Sequence, residues 1–211
     1  MNSMKLKIIR LPALVLLTAI HGSMAFADPA EDRDWPCEQA LVSEVSAAVV
    51  WDGPSVEGLS ERWSSDPEVA ALVRRLTARR TDGIEPGALI ESFAVAQPPA
   101  TRDRRLSLLF AGVLQVLNAD RHKLNTGILR YARDQQRRAE VLDGHLAEIV
   151  RLETEASEES RQRLPELRRR IDLEQRMFDD RERSIPFLCT RPRVVEQRIG
   201  ELARAIAYHL E

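Results

Sequence analysis

From Thr101 to Ile206 the apolar residues recur at intervals of three and four, with no stretch of strict alternation. That spacing lines up one face of an α-helix, whereas a half-buried strand needs a period of two. Leu106, Leu109, Phe110, Val113, Leu114 and Leu117 form a wide core-facing stripe after an expected Thr101 cap, and helical character continues past Asn118 and Asn125, with or without a break. From Leu124 onward Ile128, Tyr131, Leu142, Ile149 and Leu152 fit a heptad-like seam of the coiled-coil kind, with Gln135 and Arg138 at two interior positions. The polar stretch 153–160 turns the chain, and Leu164, Leu167, Ile171, Phe178 and Ile185 return with similar spacing. The pattern predicts a long antiparallel helical hairpin over about 124–185. A last helix carrying Val194, Val195, Ile199, Leu202, Ala203 and Ile206 is expected to begin at Pro192.

The earlier part of the chain is more broken. A short helix opening at Cys37 or Glu38 would run through Leu41, Val42, Val45 and Val49 and end at Asp52-Gly53-Pro54. Residues 51–65 read as an ordered loop holding Trp51, Leu59 and Trp63. Asp66 caps a helix with Pro67 at its first position and Val69, Leu72, Val73 and Leu76 on its apolar stripe. Arg74, Arg75, Arg79 and Arg80 crowd its C-terminal turns, where the macrodipole favours cations, and Asp82-Gly83 stops it. Pro86 to Ala96 forms another short helix with Leu89, Ile90 and Phe93, ended by Gln97-Pro98-Pro99. The fold class expected is all-α: a helical bundle with a long antiparallel hairpin and an irregular, tryptophan-containing N-terminal segment.

Residues 1–27 have the layout of a signal peptide. Lys5, Lys7 and Arg10 lie in a basic start, residues 11–20 are a short apolar core, and Ala25-Phe26-Ala27 supplies the small-x-small pattern of a cleavage site. That core is about half the ~20 residues a spanning helix requires, and His21 and Gly22 interrupt it. Cleavage between Ala27 and Asp28 leaves a single helical domain over 28–211, periplasmic or secreted, with no stable membrane insertion. The whole sequence has net charge −2; without its first 27 residues it has 28 basic and 33 acidic groups, net −5. A strongly basic nucleic-acid binder is thereby disfavoured.

Export makes the two cysteines interpretable, because an oxidising compartment lets Cys37 and Cys189 persist as a disulfide. Two separately buried thiols are the other reading. Cys-x-x-Cys is missing, and no Cys or His sits at ligand spacing from either thiol, so neither redox catalysis nor metal binding is indicated. The sequence also lacks Gly-x-Ser-x-Gly, a phosphate loop, His-Glu-x-x-His and Cys-x-x-Cys-His. Of His122, His145 and His209, only His145 has a carboxylate one turn away, Glu148, with which it could share a metal. Surface or packing roles are the expectation for all three. The interleaved charges, such as Arg168-Arg169-Arg170 and 179–183, read as solvated helix faces. Trp35, Trp51 and Trp63 either anchor the irregular segment on the helices or line an aromatic pocket.

Asp34-Trp35-Pro36-Cys37, Val50-Trp51-Asp52-Gly53-Pro54, and Leu188-Cys189 followed by Pro192 and Val195-Glu196-Gln197-Arg198 occur together. In these motifs the chain resembles a group of small exported proteobacterial helical proteins without an assigned activity. The resemblance spans most of the mature chain and brings no catalytic residue with it. It implies that the two cysteine-centred segments belong to one local structure. The function expected is non-enzymatic: an interaction, adaptor or chaperone-like module with a protein partner and no cofactor. The alternative is a helical small-molecule-binding or sensor-type domain with the tryptophans around its pocket.

Overall fold

A computed structural model describes residues 33–78 and 85–211. The signal-type segment, and Arg79, Arg80, Asp82 and Gly83 after the first long helix, lie outside the described residues. The described chain is all-α, with no strand: α1 (Ala47–Val50), a 3₁₀ turn (Trp63–Ser65), α2 (Pro67–Thr77), α3 (Pro86–Val95), α4 (Pro99–Glu155), α5 (Glu158–Glu182) and α6 (Ile185–Ala207). Proline opens α2, α3 and α4, where its fixed φ suits the first turn and its missing N–H is no loss. Ahead of α2 the Asp66 carboxylate accepts from the Glu68 and Val69 N–H groups, both at 3.1 Å. The α4 stripe starts earlier than expected: Pro98 is the N-cap, and Thr101 lies in the first turn with its hydroxyl on the Pro98 carbonyl at 3.3 Å.

Helix α4 is continuous for 57 residues, about 85 Å at 1.5 Å per residue. It ends within the polar stretch that was expected to turn the chain. Ala156 takes a left-handed conformation, φ 47°, with its N–H on the Leu152 carbonyl at 3.2 Å. Ser157 then caps α5, its Oγ accepting from the Ser160 N–H at 3.0 Å. The expected hairpin forms, but its first limb does not begin near residue 124; it is the distal part of one helix that also builds the core. The return limb is split. It breaks at Arg183 and Ser184, and α6 begins at Ile185 rather than Pro192. Pro192 sits inside α6, fully buried, one turn beyond the bridged Cys189, so tertiary packing outweighs the one hydrogen bond it cannot make. The chain end closes back on the start of α4, the Glu211 N–H donating to Asp103 at 3.3 Å and its carboxylate pairing with Arg102.

The core surrounds the proximal third of α4. Leu106, Leu109, Phe110 and Val113 have no exposed surface, nor do Val69, Val73 and Leu76 of α2, Ile90 of α3, or Ile199 and Ile206 of α6. Gly112 is needed here: a Cβ on it would stand 2.7 Å from Val73 Cγ2 and 2.8 Å from the Trp63 ring, inside their van der Waals radii. Its absence lets α2 and Trp63 settle on the α4 backbone.

Residues 37–46 depart from expectation, for helix survives only at Ala47–Val50. The backbone groups a helix would have bonded internally go instead to side chains of α4. Val45 exchanges both its groups with the Asn118 amide at 3.0 Å. Arg121 donates to the Val42 and Ser43 carbonyls, and Asn125 Nδ2 reaches Val42 at 3.4 Å. Side-chain partners displace the local ladder. The result is an irregular strap laid across α4.

Past this strap only two of the described helices remain. Helix α5 packs chiefly against α4, and from Asp134 to the turn the pair forms an arm about 35 Å long.

Candidate functional site

The strap, α4 and α6 meet at a shoulder where the core gives way to the arm. Cys37 and Cys189 form a disulfide here, with Cα atoms 5.6 Å apart and 152 residues between them in sequence. Gln39 Nε2 donates to the Cys189 carbonyl at 2.7 Å, and Trp35 Nε1 donates to the Gln39 carbonyl at 2.6 Å. The two cysteine-centred segments thus form one local structure. Beneath them Arg121, only 3% exposed, binds Glu196 of α6 at 2.6 Å as well as the strap carbonyls. Asn118, Arg121 and Asn125 continue the apolar stripe at spacings of three and four. That substitution of polar for apolar residues was the available signal for a buried polar layer.

The tryptophans do not converge. Trp51 stacks on Phe110 at 4.2 Å between centroids and donates to the Pro54 carbonyl at 2.8 Å. Trp63 lies against Gly112 and donates to Gln115 Oε1 at 2.5 Å. Positions 110 and 112 are about 200° apart around a helix, so these indoles flank α4 on opposite sides. Each of the three rings anchors a different part of the irregular segment.

Two of the clefts among the described residues lie at the shoulder and on the arm. One, of about 380 Å³, lies between the strap and α4 and is walled by Leu41, His122, Asn125, Leu129 and Arg130. The other, about 660 Å³, runs along the arm, where Val141 of α4 faces Leu173, Met177 and Phe178 of α5. Val141 and Leu173 are each 53% exposed and Met177 49%.

The interior of the arm is polar in part. Gln135 is buried, donating to the Phe178 carbonyl at 2.9 Å and accepting from Arg181 at 3.1 Å. Arg181 also binds Asp134 at 2.8 Å and lies over the Tyr131 ring. Arg138, expected inside the seam, turns outward to Asp134 at 3.1 Å. His145 Nδ1 meets Glu174 Oε2 at 2.7 Å across the seam, while Glu148 pairs with Arg163 at 2.8 Å, so His145 and Glu148 serve separate partners. Burial pushes the Glu174 carboxyl up, but hydrogen bonds from Arg170 and His145 outweigh it and hold the group below its ordinary value. Asp66 behaves alike: burial raises it, and the Val69 N–H and Arg105 bring it down further. His209 stands edge-on to Tyr208, 5.3 Å between centroids. Among the described residues, no cluster of three or more His, Cys, Asp or Glu is arranged to hold a metal, and no helix is long and apolar enough to cross a membrane.

No family model, curated protein or solved structure matches this chain.

Proposed function

We propose that the chain is an exported, non-enzymatic interaction module of the periplasm that receives an amphipathic helix of a partner protein along its arm. The observation that supports this is the open groove whose apolar strip is Val141, Leu173, Met177 and Phe178, edged by charged residues such as Arg138 and Arg170, on a limb made of two of the described helices. Two antiparallel helices leave such a groove where a third would complete a three-helix seam, and helix-in-groove docking uses apolar anchors at this spacing. The signal-type start and the disulfide support export.

Site-specific photocrosslinking in intact cells tests the proposal. A photoreactive residue replaces Val141 or Leu173 on the arm, or Val95, which is more exposed still, on α3. A discrete adduct of one mass from both arm positions, absent from position 95, is the expected result. Adducts from all three positions, or from none, overturn it.

A further inference from the structure

The shoulder cleft has features that arm docking does not use. Its floor is Leu41 from the strap and Leu129, which is 6% exposed. His122, Thr126, Arg130 and Arg133 follow one another along its α4 wall at helical spacing. Arg133 binds Asp34 at 2.7 Å, and Arg137 farther along binds Asp134 at 3.1 Å. Arg130 has no such carboxylate among the described residues and leaves one cation uncompensated at the rim.

Deeper in the same wall is Asn125, 5% exposed. Its Nδ2 faces the Val42 carbonyl, which fixes the amide orientation, since a flipped amide would set oxygen against oxygen. Its Oδ1 is buried and has no hydrogen-bond partner. A buried acceptor left unmatched costs on the order of 1–3 kcal/mol, and so favours a ligand that brings a donor. The walls therefore ask for one negative charge, one N–H and one apolar group, in a volume at the small end for ligand pockets.

We propose that this cleft binds the carboxylate end of a peptide with an apolar terminal residue. The carboxylate pairs with Arg130, the terminal amide N–H donates to Asn125 Oδ1, and the side chain rests on Leu41 and Leu129. This site is separate from the arm groove and stands or falls independently of it.

Isothermal titration calorimetry on the oxidised mature chain, with N-acetyl-leucine as the probe, tests the assignment. Saturable binding is expected, weakened roughly tenfold or more when N-acetyl-leucinamide removes the charge or Arg130→Gln removes its partner. Arg130 is on the surface, so its variant should keep the parent melting temperature, and it should leave the Val141 crosslink unchanged. An acetate titration checks the rest of the ligand and should give far weaker binding. Equal affinity for the amide, indifference to Arg130→Gln, acetate as good as the full probe, or no saturable binding at millimolar probe would each overturn the site.

Discussion

The core and the arm share one helix, α4, yet they are built on different principles. Around the proximal part of α4, three further helices bury leucine, isoleucine, valine and phenylalanine to zero exposure. Along the distal part a single one of the described helices faces it, and the same heptad spacing is filled by Gln135, His145, Glu174 and Arg181 as well as by Leu142, Leu152 and Ile171. Apolar burial contributes most of the folding free energy at ~25 cal/mol per Å². Paired polar groups contribute little net stability, and their established benefit is to fix register. The core thus holds the fold, and the arm holds an alignment while leaving apolar surface in reach.

The largest test of this contrast is at the shoulder. A bridge closing a loop of 152 residues stabilises by on the order of 5 kcal/mol in the loop-entropy model, an upper figure. Cys189→Ser should lower the urea midpoint by a large part of that, followed by tryptophan fluorescence; a midpoint unchanged from the oxidised parent would show that the strap is held without it. Phe110→Ala comes next, removing a fully buried ring stacked on Trp51, and should cost about 3–5 kcal/mol in the same measurement. Leu142→Ala in the arm should cost less, about 2 kcal/mol, because a two-helix seam relaxes toward solvent more readily than a core. If Leu142→Ala proved as damaging as Phe110→Ala, the division between core and arm would fail.

Acid separates the regions more finely. Glu174 titrates below the ordinary carboxylate value, so its contribution is complete above a pH of about 4.3 and is lost as pH falls through its lower folded value. Protection factors at arm amides, taken relative to the intrinsic exchange rate at each pH, should therefore fall on acidification below a pH of about 4, and Glu174→Gln should flatten that dependence without touching the amides of α2. A Glu174→Gln chain with an unchanged acid profile in the arm would remove the pair from the account. The smallest effect on stability belongs to Val141→Ser, within about 0.5 kcal/mol for a half-exposed site, while the Leu173 crosslink should disappear.

Much of this was readable from residue spacing, because helix periodicity is a local property. The α4 stripe, the Asp66-Pro67 start and the turn within 153–160 all depend on neighbours a few residues away. The misreadings at Pro192 and residues 37–46 have a common cause: in each, a packing partner remote in sequence outweighs local preference, whereas the start of α4 at Pro99 rather than at Thr101 is a local matter. The strap is the plainest instance, since its hydrogen-bond partners Asn118, Arg121 and Asn125 lie more than 70 residues on. The shoulder cleft was hidden for the same reason. Leu41 and Arg130 meet only once the strap has been laid across α4. In the arm groove, Val141, Leu173 and Met177 carry no mark that distinguishes them from buried seam residues, and they are exposed because no third helix among the described residues covers them.

The unbroken run of α4 also has a mechanical consequence. A rod anchored in the core and free for its last ~35 Å is a lever, and each degree of tilt at the shoulder moves its tip by roughly 0.6 Å. The return limb, jointed at Arg183 and Ser184, can flex where α4 cannot, so a load on the tip is carried by one helix straight into the strap and the disulfide that clasps it.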